Sequence, residues 1–364
     1  MGRELEALGH GVDVVSLDDP KEAYIKEFPL RVFATGPALG GYGFTKKLVP
    51  WLKAHVSEYD AVVVNGLWRY HAFGTWRAIR GSGVPYYVYP HGMLDPWFKS
   101  TYPLKHLKKW LYWPWADYRV LRDACAVLFT SEEERLGSRQ SFWLYRAREC
   151  EVAFGTSAPP SDGPRLRELF LTANPDLRGR RMLLFLGRIH VKKGCDLLIR
   201  AFAGVCQREP TLHLVMAGPD PTGWMPVLKG LATQLGVAQR ISWLGLLQDD
   251  IKWGAFYAAE AFTLPSHQEN FGIAAAEALG CGIPVLISNK VNIWREIDKA
   301  RAGLVDADTE VATRDVLRRW LDLSADQRAH MGERARELYG DRFTARAMAQ
   351  GLVSVIESTN KKGQ

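Results

Sequence analysis

Two carboxylates eight positions apart, Glu269-x7-Glu277, flank the run Asn-Phe-Gly-Ile-Ala-Ala-Ala. The apolar stretch 261–264 before them reads as a strand, and a polar loop, Pro-Ser-His-Gln, leads out of it. A helix should then begin near Phe271 or Gly272. The free backbone amides and the dipole at such a helix start favour oxygen-rich or anionic ligand groups. Gly272 lets a ligand approach the backbone closely. Glu269 then falls in the loop and Glu277 inside the helix, and both can accept hydrogen bonds from the vicinal hydroxyls of a sugar and a ribose. The same residues also fit a solvated Glu269 and a Glu277 that only pairs on its helix.

A second cluster follows the apolar stretch 182–186, which runs into Gly187-Arg188-Ile-His-Val-Lys-Lys193-Gly194. Arg188 offers a planar fork and Lys193 a mobile point charge, a pair suited to a diphosphate. It is not a Walker loop, because Gly-Lys-Ser/Thr is absent. A solvated basic turn is the bland alternative. Gly218, in Ala-Gly-Pro-Asp, ends another expected strand. In the first half, 86–90 ends in His91-Gly-Met-Leu-Asp95, and 61–65 ends in Asn65-Gly-Leu-Trp. His91 can hydrogen-bond a sugar hydroxyl or steady charge at a reacting centre, or it is a packed histidine tethered to a turn.

These motifs, in this order, resemble glycosyltransferase family 4. The resemblance rests on Pro-Ser-x-x-Glu269-Asn-Phe-Gly, on Glu277-Ala-Leu-Gly-Cys-Gly-Ile-Pro-Val, and on Gly187-Arg188-x4-Lys193-Gly. It implies the GT-B fold, two Rossmann-like doubly wound α/β domains facing a cleft, and a retaining transfer from a nucleotide sugar. It assigns Glu269 and His91 to the reacting sugar and Glu277 to the nucleotide ribose. The amides of Asn270, Phe271 and Gly272 go to sugar hydroxyls and phosphate. Arg188 and Lys193, with Gly187 and Gly218 lining the pocket, go to the leaving diphosphate. Asn65 and Asp95 fall on the acceptor side. The expected donor is a UDP- or GDP-sugar, and the expected acceptor a hydroxyl of a glycan or lipid-linked chain in cell-surface polysaccharide synthesis. No metal or other cofactor is expected, because Arg188 and Lys193 supply the charge and the lone Asp-x-Asp, Asp306-Ala-Asp308, is distant from both motifs. A donor-binding but inactive partner of an assembly complex, or a sugar-nucleotide epimerase, would carry the same pocket.

The elements that position these residues alternate along the chain. Strands are expected at 12–17, 61–65, 86–90 and 126–130, then at 182–186, 212–217, 241–244, 261–264 and 284–288, with helices between. Ser131 with Glu134 three residues on forms a capping box that starts a helix. Residues 155–163, with two prolines and two glycines, read as a hinge loop. The expected division is an acceptor-side domain over 1–160, a donor domain over 161–345, and a last helix over 346–364 that could cross back to the first domain. Family members begin with a strand and a glycine-rich loop, whereas Glu4 to Val12 here matches the following helix end and second strand, so those first elements are expected to be missing.

A chain of 364 residues with 47% hydrophobic and 24% charged residues suits two soluble domains. The net charge of +7 suits an anionic ligand or membrane surface. No zinc-finger, RNA-binding or basic-zipper signature is present, and no nucleic-acid partner is expected. With no signal-like start and no apolar run approaching about 18 residues, a cytoplasmic location is expected. The five scattered cysteines read as reduced thiols. From Tyr102 to Arg122, lysines and arginines interleave with aromatics. That pattern suits peripheral contact with an anionic membrane, yet Leu104, Leu107, Leu111 and Tyr118 also fit a core-facing helix with a solvated basic face. Pro114 should divide the helix.

Overall fold

The computed structural model describes residues 1–101 and 103–360; Tyr102 lies outside the described residues, as does 361–364 of the expected last helix. The chain forms two compact units, one of residues 1–155 and 345–364, the other of residues 156–344. The division thus falls five residues before the expected one, and the last helix, Ala345–Asn360, belongs to the first unit.

Among the described residues the first unit contains six strands, β1 (Asp13–Ser16), β2 (Arg31–Ala34), β3 (Val62–Asn65), β4 (Tyr86–Tyr89), β5 (Ala126–Phe129) and β6 (Glu149–Glu151). β1 pairs with β2 as a two-stranded parallel sheet, and β3-β4-β5-β6 form a second parallel sheet in that order. Side chains alternate across β4 and β5. Val88, Val127 and Phe129 pack with Leu121 and Trp113 on one face. Tyr87, Tyr89, Ala126 and Leu128 pack with Met348 and Leu352 of the last helix on the other. Both faces are therefore covered, which is why these strands read as unbroken apolar runs. Each fully buried Leu or Phe contributes roughly 1.5–3 kcal/mol.

The second unit contains β7 (Arg181–Leu186), β8 (Leu212–Ala217), β9 (Ile241–Gly245), β10 (Ala261–Leu264), β11 (Val285–Ser288) and β12 (Gly303–Asp306). They form one six-stranded sheet of order β12-β11-β10-β7-β8-β9, parallel throughout. The chain starts in the middle at β7, runs outward to β9, then returns beside β7 with β10 and runs outward the other way. Strand order reverses between β7 and β10, so the loops that follow these two strands diverge there and leave the crevice where ligands of such sheets bind.

Three strands have no counterpart in the expected set, namely β2, β6 and β12. The helix after the β10 loop is Ile273–Gly280, with Gly272 as its N-cap, in agreement with the expected start. The helix Pro103–Tyr112 stops one turn before Asp117–Asp123 begins, with Pro114 in the turn between.

Candidate active site

The loops after β7 and β10 are tied together backbone to backbone. His267 N–H donates to the Lys192 carbonyl at 2.8 Å. Gly194 has φ +63°, and a Cβ there would run into the Pro265 carbonyl oxygen. Both facts demand glycine at this crossing. Gly187 and Gly218 meet in the same way, because a Cβ on Gly218 would overlap the Gly187 carbonyl. These two glycines thus have a packing reason to be what they are.

Upon this frame Lys193 Nζ donates to Glu269 Oε2. Burial, and next the charge of Arg188, pull the Lys193 ammonium down to about 8. Arg188 itself is exposed at the same loop. The loop is therefore a concentrated positive charge with one carboxylate against it. The Glu269 backbone is held on both sides, its N–H donating to the Lys290 carbonyl at 2.9 Å and its carbonyl accepting from Asn292 N–H at 3.0 Å. Gly272, at φ +80°, turns the chain into the helix, where no side chain caps the first amides. Asn270 accepts from Asn292 Nδ2 at 3.4 Å. The Phe271 ring is buried and stands edge-on to Phe343 at 5.5 Å, which leaves its backbone for the loop.

Glu277 lies one helical turn further in, and Lys252 Nζ donates to its Oε1 at 2.6 Å. Lys252 comes from the helix Asp249–Ala258 and also sits over the Trp253 ring at 4.6 Å. Sequence reasoning did not find Lys252, because a lone lysine in an amphipathic helix reads as a solvated charge. Asp220, which follows Gly218, accepts from the Trp224 and Met225 amides at 2.9 and 2.8 Å, and caps the next helix. Asp306 and Asp308 are engaged by Arg319 and His267, each at 2.9 Å. Among the described residues no group of three or more His, Cys, Asp or Glu side chains could hold a metal ion.

The first unit brings His91 and Asn65 together. His91 Nε2–H donates to Asn65 Oδ1 at 3.0 Å, so Nδ1 keeps its lone pair, and the Asn65 carbonyl accepts from His71 at 2.9 Å. Burial lowers the His91 pKa and keeps the ring neutral at pH 7. The ring stacks on Tyr89 at 5.3 Å. His91 has φ +49°, a left-handed conformation that costs a non-glycine residue on the order of 1 kcal/mol, so something must hold it. Glu134 does this. Its buried carboxylate accepts from Gly92 N–H, and from Thr130 N–H at 2.7 Å and Thr130 Oγ1–H at 2.6 Å. The expected capping box is only half formed, since Ser131 Oγ accepts from Glu134 N–H at 3.2 Å while the Glu134 carboxylate turns away to the β4 loop. Asp95 caps the short helix Trp97–Thr101 by accepting from Trp97 N–H at 2.8 Å.

The loop after β3 is fixed by a second buried carboxylate. Trp68, at φ +68°, donates its backbone N–H to Asp117 Oδ2 at 3.1 Å and its indole N–H to the Met93 carbonyl at 3.0 Å. Burial pushes the Asp117 carboxyl up to about 7.

Ligands of doubly wound parallel sheets bind at the switch point, and the Lys193–Glu269 pair sits at that point of the second unit. Comparison with known proteins then gives the family. The description "Glycosyl transferases group 1" matches residues 172–338, and "Glycosyl transferase 4-like domain" matches residues 1–155. The chain belongs to the group 1, family 4 glycosyltransferases. A D-inositol 3-phosphate glycosyltransferase of Actinosynnema mirum is 37% identical over 142 residues, covering 37% of this chain. That match spans only 33% of the relative's length. Among solved structures, a sucrose-phosphate synthase from Thermosynechococcus elongatus superposes with a TM-score of 0.74 at 20% identity, covering 99% of this chain and 92% of that one. Anabaena Alr3699/HepE, in complex with UDP and glucose, gives 0.72 at 18% identity, covering 95% and 91%. These likenesses establish the GT-B fold.

Proposed function

We propose that this chain moves a hexosyl-type group from a UDP- or GDP-sugar to a hydroxyl of a glycan or lipid-linked acceptor, with retention at the anomeric carbon. We place the reaction in the cytoplasm, in cell-surface polysaccharide assembly. The observation that carries the reading is the Lys193–Glu269 pair at the β7/β10 switch point, with Arg188 beside it and Glu277 in the helix behind. Lys193 and Arg188 take the diphosphate and neutralise charge as it leaves, and this removes the need for a divalent cation. Glu277 accepts from the ribose hydroxyls, and Glu269 with the first amides of the helix Ile273–Gly280 accommodates the sugar. His91, neutral and held by Glu134 and Asn65, orients the sugar or acceptor hydroxyl. The protein's part is positioning and charge neutralisation, while the departing phosphate takes the acceptor proton on the same face of the sugar. The solved relative with UDP and glucose supports a UDP-sugar donor first.

The test is nucleoside diphosphate release from UDP-glucose and GDP-mannose in buffer with EDTA, with and without an oligosaccharide acceptor. Turnover is expected with EDTA present and should fall in Arg188→Ala and Glu269→Ala. Tight donor binding without turnover would reassign the chain to an inactive partner, and release of a 2-epimer would make it an epimerase.

A further inference from the structure

The helix Pro103–Tyr112 is turned the wrong way round for a soluble protein. Its inner side is made of His106, Lys109 and Tyr112, none of them aliphatic. His106 stacks on Phe142 at 4.9 Å, Lys109 lies over the Trp68 ring at 4.4 Å, and the Tyr112 hydroxyl meets that of Tyr42. Trp113, just past the helix, is fully buried and stacked on Phe142 at 4.3 Å, which locks the helix in this rotation. The apolar residues at helical spacing therefore point outward, with Leu104 78% exposed, Leu107 55% and Leu111 62%. Of the two alternatives that the sequence left open for these leucines, the core-facing one does not hold. Trp110, also exposed, meets Trp143 at 6.1 Å, and Trp143 is 65% exposed. Exposed leucines and tryptophans massed on one helix and its neighbour cost solubility, and a soluble chain keeps such a patch only for something that covers it.

Charge identifies what covers it. No acidic residue occurs from Pro96 to Ala116, while Lys99, Lys105, Lys108 and Lys109 all lie in that stretch. On the helix, Lys108 borders the leucine stripe on one side and Trp110 on the other, and Lys105 is exposed at the start of the helix. Leucines in the middle, tryptophans at the edge and lysines beside them match the layers of a bilayer surface: acyl chains, the interfacial zone and anionic phosphates. Among the described residues no helix is long and apolar enough to cross a membrane, so the contact is with one face only.

We propose that Leu104, Leu107, Leu111, Trp110 and Trp143, with Lys105 and Lys108, form a docking face for an anionic lipid bilayer. The proposal rests on the transferase reading only for its purpose, the delivery of a lipid-linked acceptor, and the geometry stands without it.

The experiment is co-sedimentation of the full chain with vesicles of phosphatidylcholine alone or with 30 mol% phosphatidylglycerol, at low and high salt. Binding to the anionic vesicles, weakened by salt, is expected. Leu107→Asp with Leu111→Asp should weaken it by at least about tenfold. Lys105→Gln with Lys108→Gln should weaken it about fivefold per lysine. Circular dichroism and donor hydrolysis in the absence of vesicles should be unchanged in both. Equal binding of parent and variants, or binding indifferent to phosphatidylglycerol, would overturn the proposal. So would a concentration-dependent dimer of the lipid-free parent that the leucine variant abolishes, because a second copy would then be the occupant. Loss of donor hydrolysis in the parent itself would sink the transferase reading and leave the vesicle result standing.

Discussion

The two units hold their candidate site residues by opposite means. In the second, each site carboxylate faces a lysine, Glu269 with Lys193 and Glu277 with Lys252. In the first, the buried carboxylates Glu134 and Asp117 take backbone amides that would otherwise go unpaired, those of Gly92 and Trp68, each in or beside a left-handed turn. A lysine–carboxylate pair can be exchanged for a ligand's phosphate and hydroxyls, since both partners gain new ones. A carboxylate bonded to its own backbone has nothing to exchange. On the proposed reading, a ligand would rearrange the pairs of the second unit and meet residues already fixed in the first.

The contrast breaks most easily at Lys193. Lys193→Ala should lower kcat/KM by about 10²–10³, the usual scale for one electrostatic contact at a transition state, with Lys193→Arg recovering much of it. As pH rises through about 8, wild-type Lys193 loses its proton and donor affinity should fall, whereas the arginine variant should show no such fall. If affinity is flat with pH in the wild type, Lys193 does not carry the phosphate.

Glu134→Ala comes next. It strands the Gly92 and Thr130 amides, so a stability loss of about 1–3 kcal/mol is expected in chemical denaturation. A fall in kcat at little-changed donor KM should accompany it, because the His91 turn is released. A change in KM alone would place Glu134 outside the catalytic geometry. A smaller effect is expected of Lys252→Met, which should shift donor KM by about tenfold while kcat holds; unchanged KM would make the Lys252–Glu277 pair structural.

The smallest effect is on the pH profile of stability. Unfolded Asp117 ionises near 3.8, as an ordinary aspartate does, whereas the folded chain keeps its proton to about 7. Between those limits the folded state binds more protons, so stability falls as pH rises, by at most about 1.4 kcal/mol per pH unit. Asp117→Asn should flatten that slope in denaturant titrations at pH 5, 6 and 7. An identical slope in the variant would show that Asp117 is already ionised.

Much of this was legible in the residues. Apolar runs such as those of β7 (Arg-Met-Leu-Leu-Phe-Leu) and β8 (Leu-His-Leu-Val-Met-Ala) announce strands covered on both faces, and glycines and prolines mark where they stop. The strands that escaped carry charged or glycine residues within a short apolar run: β2 is Arg-Val-Phe-Ala, β6 is Glu-Cys-Glu and β12 is Gly-Leu-Val-Asp. Such segments become strands because a neighbour offers a parallel edge, which is a tertiary cause. The candidate residues Lys193 and Glu269 were legible because they follow in sequence the strand ends that position them, and Glu277 because it lies in the helix that comes next. Glu134 was hidden by a sufficient local explanation, its place in a capping box, and the orientation of the leucines in Pro103–Tyr112 was decided by Trp113 and Phe142, which periodicity within the helix does not reveal.

The last helix, Ala345–Asn360, bears on how the protein is made. It supplies Met348 and Leu352 to one face of the sheet formed by β3 to β6. During synthesis at about 5–20 residues per second, that face waits roughly 10–40 seconds after Gly155 is added before its cover exists. The unit that leaves the ribosome first is therefore closed last, after the second unit has had time to fold. Until then its tyrosines and leucines stay exposed on the nascent chain, and a chain cut before Ala345 would carry a second unit with its sheet whole beside a first unit with one sheet face bare.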